Sequence, residues 1–315
     1  MNIKNFLKLV EIQTKVASVI PFLLGISYTF FAYGKFDYTN ILLMFLSMII
    51  FDMATTATNN YMDYKKALKK KGFGYEEHNA IVRDNLKPSL VKAIIIFMVL
   101  LASILGFALF IRTDIIVLLL GIIAFIIGLI YSTGPIPISR TPFGEIFSGL
   151  TMGFVITFLT IYINIFDSNI ILLSFSSYTL NISMDLYTIA SIFLVTLTPI
   201  VGISNIMLAN NICDMQDDIE NKRYTLPIFI GEKSSLILFK ILYLVGFSSI
   251  FIGTLFKILP WTSLITFILV KKVMANVSTF EKIHTKKDTF VLAVQNFVLM
   301  NLVYIISIAL GAFFK

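Results

Sequence analysis

The stretch from Asn210 to Arg223 concentrates polar chemistry in an otherwise apolar sequence, with four carboxylates and two basic side chains in fourteen residues. Asn210, Asp214 and Asp218 are spaced four residues apart, so a helix would place them on one face. Two carboxylates one helical turn apart, aided by an amide oxygen, suit a hard divalent cation that keeps several waters and also binds phosphate. The spacing therefore predicts metal-assisted binding of a phosphorylated ligand.

An earlier stretch, Asn59 to Asp63, has the same Asn-Asn-x-x-Asp spacing. Like the later stretch, it ends a long apolar run. One such stretch is explained equally well as a helix end with a solvated acid, but two copies at matching places favour a shared binding site. A cluster of lysines follows the earlier copy: Lys65, Lys66, Lys69, Lys70 and Lys71.

The composition is that of a membrane protein. The chain has 315 residues, of which 57% are hydrophobic, and its mean hydropathy is +0.89; long apolar runs in such a chain indicate membrane helices. The net charge of +7 does not indicate nucleic-acid binding, because the basic residues lie in short segments between apolar spans. The single cysteine, Cys213, excludes an internal disulfide. The first apolar run lacks a small-residue cleavage site, so we interpret it as a retained span.

At roughly 20 residues per span, the sequence holds nine candidates, which predicts an all-α, polytopic membrane protein with one domain. The candidate spans are about Val16–Tyr33, Asn40–Tyr61, Leu90–Ile111, Ile115–Tyr131, Phe143–Phe166, Leu186–Ile212, Ser235–Phe256, Pro260–Val273 and Phe290–Phe313. The eighth candidate is short.

The distribution of basic residues predicts the orientation. If the N-terminus is cytoplasmic, all but four of the 25 lysines and arginines lie in cytoplasmic segments, as the positive-inside rule requires. The four exceptions are Lys35, Arg112, Lys257 and Lys315. Both Asn-Asn-x-x-Asp stretches then emerge on the cytoplasmic side, each at the C-terminal end of its helix, where the helix dipole favours cations.

Asp52 is the one acid deep within an apolar span. It lies seven residues before Asn59 and eleven before Asp63, so the helical period puts all three on one face. Intramembrane acids normally face the bundle interior or a wet cavity. A protonated acid bonded to a neighbouring helix, through Thr55 or Thr56, is an equally good interpretation.

A ligand with a multiply charged head and a long apolar tail would match these parts. Cations bridged to Asp63, Asp214 and Asp218 would hold the head, together with lysine and arginine side chains of the same segments. The tail would lie among the helices. An isoprenyl diphosphate has this shape, and bound metal would stabilise the charge that develops on the departing diphosphate. The allylic cation left behind must be kept from water, and an electron-rich aromatic ring would capture it.

The segment from Asn210 to Gly231 resembles the second aspartate-rich motif of the UbiA-type membrane prenyltransferases, most of all those that act on 1,4-dihydroxy-2-naphthoate. The segment from Asn59 to Lys66 resembles their first motif, and the Pro- and Gly-rich segment from Tyr131 to Glu145 resembles their Tyr-Ser-x-Gly-Pro loop. This chain departs from the first motif at Asn60, where the family usually has Asp, and at Ala67 and Lys69, the places where family variants carry a further acid.

The resemblance implies nine helices around a central cavity, with cap segments on the cytoplasmic side at about residues 64–89, 132–142, 213–234 and 274–289. It also implies Mg²⁺-dependent transfer, from a polyprenyl diphosphate to the naphthoate with decarboxylation, which gives demethylmenaquinone at the cell membrane. By the same resemblance, Asp63, Asp214 and Asp218 are catalytic and, with Asn59, hold the metal. The residues implied to bind the diphosphate or the aromatic substrate are Asn59, Asn210, Asn211, Lys66, Lys222, Arg223, Tyr131 and Arg140.

Two other functions stay open from the sequence. The same reaction with another aromatic acceptor, such as 4-hydroxybenzoate, would use the same residues. A transporter or binding protein for an anionic amphiphile would place polar groups near mid-bilayer and interrupt its helices. The acids cluster at one membrane face, which favours the enzyme, whereas Asp52 and Pro199 favour the transporter.

Overall fold

The fold, taken from a computed structural model, is a bundle of long helices. The structure describes residues 1–66 and 79–314, except for the side chain of Lys66. Within these residues, nine helices are long and apolar enough to cross a membrane, so the predicted number of spans is confirmed. In chain order, spans one to nine are Ile12–Tyr33, Tyr38–Lys65, Pro88–Arg112, Ile115–Ser132, Gly144–Ser168, Leu186–Cys213, Glu232–Leu255, Trp261–Lys282 and Phe290–Phe314.

Shorter elements connect or modify the spans. Span five contains a π-helical segment, Gly149–Val155, and span eight begins as a 3₁₀ helix, Trp261–Leu269. A two-stranded antiparallel sheet, with β1 at Ile171–Ser176 and β2 at Thr179–Met184, joins spans five and six. The short helices outside the spans are Ile3–Leu9, Ala80–Arg83, Ile138–Arg140, Met215–Glu220 and Leu226–Ile230.

Local signals in the sequence set where several spans begin and end. Span one stops at Gly34, whose φ of 64° is a left-handed conformation that glycine adopts without strain. The Asp114 side chain accepts the backbone N–H of Ile116 at 2.9 Å and thereby caps span four after a tight turn. Asp185 caps span six in the same way.

Span six is the most buried of the nine helices, and spans three and four are the least buried. It lies against span five so closely that a Cβ at Gly153 would fall 2.7 Å from the Cα of Ile200. Small residues permit such contact between helix backbones in membranes, where dispersion forces and hydrogen bonds hold helices together. Span six is therefore the central helix against which the others are placed.

Consecutive spans run in opposite directions, which gives the bundle two distinct ends. We call the end where spans two and six finish, at Lys65 and Cys213, the mouth end. The other end, which carries the sheet, is called the hairpin end. The predicted cap segments lie at the mouth end, and residues 67–78 of the first one lie outside the described part of the chain.

One expectation from the sequence is wrong. Span eight does not stop near Val273 but continues to Lys282, so residues 274–282 are not part of a cap loop. The charged residues of this stretch lower its hydropathy, but Val273, Val277 and Phe280 form one buried stripe along an amphipathic helix. The segment between spans five and six, to which the sequence analysis assigns no element, forms the β1–β2 hairpin.

Candidate active site

A cavity of about 1200 Å³ runs from the mouth end into the bundle, lined mainly by spans one to six. Its deep part is apolar, with side chains such as Met44, Leu109 and Leu159. Its mouth is polar and carries charges of both signs. The mouth residues that matter below are Asn59, Asp63, Arg140, Asn210, Arg223 and Lys286.

Span two supplies one wall of the cavity. The helix is continuous from Tyr38 to Lys66, and Asp52, Asn59 and Asp63 all line the cavity, as their spacing predicts. The Asp63 carboxylate lies 3.9 Å from the guanidinium of Arg140, and both side chains are accessible to solvent. The first Asn-Asn-x-x-Asp stretch therefore faces the cavity across from the loop before span five.

Asn60 explains one departure from the acid-rich first motif. Its amide donates to the backbone oxygen of Leu9 at 3.1 Å and to the carboxylate of Glu11 at 3.0 Å. Its own backbone oxygen accepts from the Asn79 side chain at 2.8 Å. Because an ionised carboxylate has no hydrogen to donate, aspartate at position 60 could not hold the N-terminal segment in this way.

The second stretch does not form one continuous helix, although the Asp214 N–H still donates to the Asn210 oxygen at 3.1 Å and the Asp218 N–H to the Asp214 oxygen at 2.8 Å. Span six ends at Cys213, and Asp214 adopts non-helical dihedrals (φ −101°, ψ 8°) before the short helix Met215–Glu220 begins. Asn210 lines the cavity, whereas Asp214 and Asp218 contribute to it only through the cations that contact them.

Asp218 is buried and is held by its own loop. Its carboxylate lies 3.2 Å from Nε of Arg223 and accepts from the Thr225 hydroxyl at 3.3 Å. Burial raises the pKa of the Asp218 carboxyl; the Arg223 charge opposes this, and the nearby Asp214 adds to it. Arg223 itself lines the cavity, so it lies between Asp218 and any bound ligand.

Asp214 forms an ion pair with Lys286, a residue 72 positions away in the segment between spans eight and nine. The Asp214 side chain is mostly buried, and Lys286 is half-exposed and lines the cavity. Nothing in the amino-acid pattern marks this contact, because Lys286 is one of several lysines in its segment. Lys286 is thus a candidate binding residue that sequence reasoning missed.

The two asparagines of the second stretch have different surroundings. Asn210 lines the cavity, while Asn211 is fully buried and donates to Oε1 of Glu145 at 2.8 Å. The backbone oxygen of Glu145 also accepts from Ser204 at 2.9 Å, so this acid ties span five to span six. The position of Asn211 thus supports a structural role in place of the predicted contact with metal or diphosphate.

Of the other residues predicted to bind substrate, two line the cavity and one lies outside it. Tyr131 and Arg140 line the cavity, and the Tyr131 hydroxyl lies 3.4 Å from the sulfur of Met207. Lys222 is exposed at a left-handed turn with φ 53°, outside the cavity lining. The side chain of Lys66 lies outside the described residues. The backbone oxygen of Arg140 accepts from the N–H of Tyr224 at 3.1 Å, which fastens the loop before span five to the second stretch.

A second polar level lies deeper in the cavity, at Asp52. Its carboxylate accepts from the Lys15 ammonium at 2.6 Å and from the Ser18 hydroxyl at 2.6 Å, both on span one. The Lys15 side chain is only 4% exposed, and it also contacts the Thr56 hydroxyl at 2.6 Å. Asp52 therefore faces a cavity and is also bonded to a neighbouring helix, although its partners are Lys15 and Ser18 and not Thr55 or Thr56.

Hard oxygen donors and phosphate-binding cations coexist at the mouth. Within the described residues, no group of three His, Cys, Asp or Glu side chains could hold a metal ion alone. Mg²⁺ does not need such a cage, because it is usually held by one or two carboxylates, with substrate phosphates and water completing its shell. The carboxylates and amides of the mouth fit Mg²⁺ bound together with a phosphorylated substrate.

Three similarities to known proteins agree with this architecture. A 1,4-dihydroxy-2-naphthoate octaprenyltransferase of Bacillus subtilis (strain 168) is 33% identical over 229 residues, which are 72% of this chain and 66% of that protein. The apo structure of a UbiA homologue from Aeropyrum pernix K1 has a TM-score of 0.69 at 16% identity, covering 93% of this chain and 98% of the other. A UbiA homologue from Archaeoglobus fulgidus, bound to DMAPP and Mg²⁺, has a TM-score of 0.66 at 12% identity over 99% and 100% of the two chains.

The profile of the UbiA prenyltransferase family matches residues 18–303, which include all nine spans in whole or in part and both Asn-Asn-x-x-Asp stretches. The chain therefore belongs to the UbiA prenyltransferase family.

Proposed function

We propose that this chain transfers a polyprenyl group from its diphosphate to 1,4-dihydroxy-2-naphthoate. A bond forms between the first prenyl carbon and a ring carbon, the bond from that prenyl carbon to the diphosphate oxygen breaks, and the ring carboxylate leaves as carbon dioxide. The observation that carries the proposal is the cavity, which has a charged mouth above a long apolar chamber. The name of the 33% identical relative supports the choice of acceptor.

The mouth would bind the diphosphate. Arg140, Arg223 and Lys286 all line it and come from three different loops. Arginine and lysine form short, charge-assisted hydrogen bonds with phosphate oxygens, and arginine does so in a bidentate fork. Each of these cations contacts an aspartate in the structure, so phosphate oxygens would take the place of carboxylate oxygens.

The carboxylates of the mouth would hold Mg²⁺. Asp63 and Asn59 lie on the span-two side, and Asp214, Asp218 and Asn210 lie on the span-six side. When bound, the metal supplies positive charge that stabilises the diphosphate as it departs. The Archaeoglobus fulgidus homologue of the same fold was determined with DMAPP and Mg²⁺ together, which supports this assignment.

The apolar chamber would take the prenyl tail and exclude water from the reacting carbon. Span four contributes a long wall of apolar side chains, and Phe51 and Phe125 stack at 3.7 Å between ring centroids where spans two and four meet. An allylic cation formed in such a chamber has no nearby water to capture it.

The polar level at Asp52 would contact the acceptor. Seven residues of helix separate Asp52 from Asn59, a rise of about 10 Å at 1.5 Å per residue, so one aromatic molecule fits between the two levels. The Lys15 ammonium lies 2.6 Å from the Asp52 carboxylate, and carboxylate oxygens accept hydrogen bonds from ring hydroxyls. The Thr55 and Ser18 side chains line the same level.

The mouth would face the cytoplasm, and the protein would reside in the cell membrane. The support is the excess of lysine and arginine in the segments at the mouth end. Fusion of a reporter that is active only in the cytoplasm to the C-terminus, at the hairpin end, should give no signal. A strong signal would reverse the orientation.

The decisive test is a reaction with defined components. Purified protein, Mg²⁺ and polyprenyl diphosphates of several lengths are incubated with a panel of hydroxylated aromatic acids, and products are detected by mass. The expected result is prenylation of the dihydroxynaphthoate with loss of carbon dioxide and no reaction in strong chelator. Prenylation of 4-hydroxybenzoate alone would change the acceptor, and no product with any acceptor would refute the proposal.

Asp218→Asn and Asp217→Asn provide matched variants for that assay. Both remove one carboxylate from the short helix Met215–Glu220, but Asp218 is buried beside Arg223 whereas Asp217 is exposed. We expect Asp218→Asn to reduce transfer by at least about a hundredfold, the usual scale for loss of an electrostatic group at a site. Asp217→Asn should retain activity, and equal losses in both variants would contradict the assignment.

A further inference from the structure

The β1–β2 hairpin at the hairpin end has two chemically different faces. Its register pairs Ile171 with Met184 and Phe175 with Leu180, and side chains alternate between the two faces along each strand. One face carries only apolar side chains: Ile171, Leu173, Phe175, Leu180, Ile182 and Met184. The opposite face is polar except for one residue and carries Leu172, Ser174, Ser176, Thr179, Asn181 and Ser183.

The apolar face is only partly covered by the rest of the protein. Ile171 and Leu173 pack against the core of the bundle, but Phe175 is 77% exposed and Ile182 is 56% exposed. A two-stranded hairpin is at best marginally stable in water, because it needs something to cover its apolar face. Contiguous exposed apolar side chains of this kind mark an interaction surface.

The hairpin begins at the level where the bundle leaves the membrane. At its base, the Asp185 N–H donates to the backbone oxygen of Ile170 at 2.8 Å, and the nearby Asp167 forms a 3.1 Å ion pair with Lys35. Charged residues at helix ends place this level near the head groups. The same end of the bundle carries exposed aromatic side chains, as membrane interfaces do: Tyr38, Tyr187, Trp261, Phe313 and Phe314.

We propose that the hairpin lies along the membrane surface, with its apolar face among the lipid acyl chains and its polar face toward water. Residues 171–184 contain no charged side chain, so their partner is an apolar phase and not an acidic or basic surface. Leu186 and Phe193, which follow on span six, are also exposed. The apolar face is therefore continuous with the lipid-facing surface of the bundle, and it adds a membrane-surface element to the spans.

Site-directed spin labelling tests the proposal in the full-length protein. In a Cys213→Ala background, nitroxide labels are placed on the apolar face by Phe175→Cys or Ile182→Cys, and on the polar face by the matched Ser174→Cys or Asn181→Cys. The protein is reconstituted in lipid nanodiscs, and collisions are measured with oxygen, which concentrates in the bilayer, and with a water-soluble nickel chelate. We expect severalfold higher oxygen accessibility at the apolar-face positions and severalfold higher nickel accessibility at the polar-face positions.

Two results would overturn the proposal. If all four positions collide equally with the nickel reagent, the hairpin projects into water. If the apolar-face positions are shielded from both reagents and the labels couple magnetically between molecules, a second copy of the chain covers that face. The measurement does not depend on enzymatic activity, so its result tests the position of the hairpin independently of the proposed reaction.

Discussion

The buried ion pair between Lys15 and Asp52 makes a quantitative test of how the cavity wall is held. Asp52→Leu would leave the Lys15 ammonium, which is 4% exposed, with only two neutral acceptors, the backbone oxygen of Asp52 and the Thr56 hydroxyl. Removing one partner of a buried pair typically costs about 3–5 kcal/mol. Because the Asp52 side chain is 14% exposed toward the cavity, we expect the lower end, about 3 kcal/mol.

A double-mutant cycle measures this interaction. Lys15→Met should also destabilise the protein, since it leaves the Asp52 carboxylate uncompensated. The variant with both changes should lose only about 1 kcal/mol, because a buried pair replaced by apolar residues is often close to neutral. Stability is measured by reversible unfolding in mixed micelles, followed by circular dichroism. Lys8→Met is the control, since Lys8 forms a 3.7 Å pair with Asp84 at the surface, and it should cost less than about 1 kcal/mol.

The cycle also separates structure from binding. If Asp52 contacts the aromatic acceptor as proposed, the variant with both changes should recover stability but keep a raised KM for the acceptor. Purely additive losses of stability would show that the Lys15–Asp52 pair contributes little. Recovery of both stability and acceptor KM would leave Asp52 with a structural role alone.

Three further predictions concern the cavity and its supports. Gly121→Phe should shorten the longest prenyl chain accepted, because Gly121 lines the cavity and a Cβ there meets nothing within 4 Å. Leu119→Phe, on the exposed side of span four, should leave the accepted length unchanged. Mass spectrometry of the products measures the chain length in both variants. Asn211→Leu should lower stability by about 1–3 kcal/mol, since it removes the hydrogen bond to the buried Glu145, and the diphosphate KM should stay unchanged. Lys286→Met should weaken binding of the diphosphate, because it removes a cation, and strengthen binding of Mg²⁺ alone, because it frees the Asp214 carboxylate. Titration calorimetry that shows both affinities falling would contradict this.

The first stretch could be interpreted correctly from sequence because the helix that carries it is continuous. Hydropathy set the span, and the helical period then placed Asp52, Asn59 and Asp63 on one face. The same reasoning did not predict the break in the second stretch, since nothing in its composition marks the end of the helix at Asp214.

Contacts between segments that are distant in the chain could not be predicted from the sequence. Lys286 is one of many lysines, and only the folded chain brings it to Asp214. Lys15 begins an apolar run, where a lysine would be expected at the membrane surface, yet it is buried against Asp52. The uncharged segment before span six could have suggested a strand pair, because Ile, Leu and Phe alternate with Ser from Leu173.

The structure also gives a physical reason why the acids of this site lie beside cations. Asp63 is near Arg140, Asp214 pairs with Lys286, and Asp218 pairs with Arg223. Asp214 and Asp218 are mostly buried, where an unpaired carboxylate would be costly, and their cations neutralise them before a ligand binds. Asp63 is exposed to solvent, so this cost does not apply to it.

A diphosphate that enters with divalent metal brings both signs of charge. Each carboxylate could then exchange its cation for metal, while each cation exchanges its carboxylate for a phosphate oxygen, so no charge is left uncompensated at any stage. Under the proposed function, such an exchange would favour the metal–diphosphate complex over either component alone, because each component would break the existing pairs and restore only half of the lost interactions. Selectivity for the complex would therefore follow from pairs that a sequence motif cannot show.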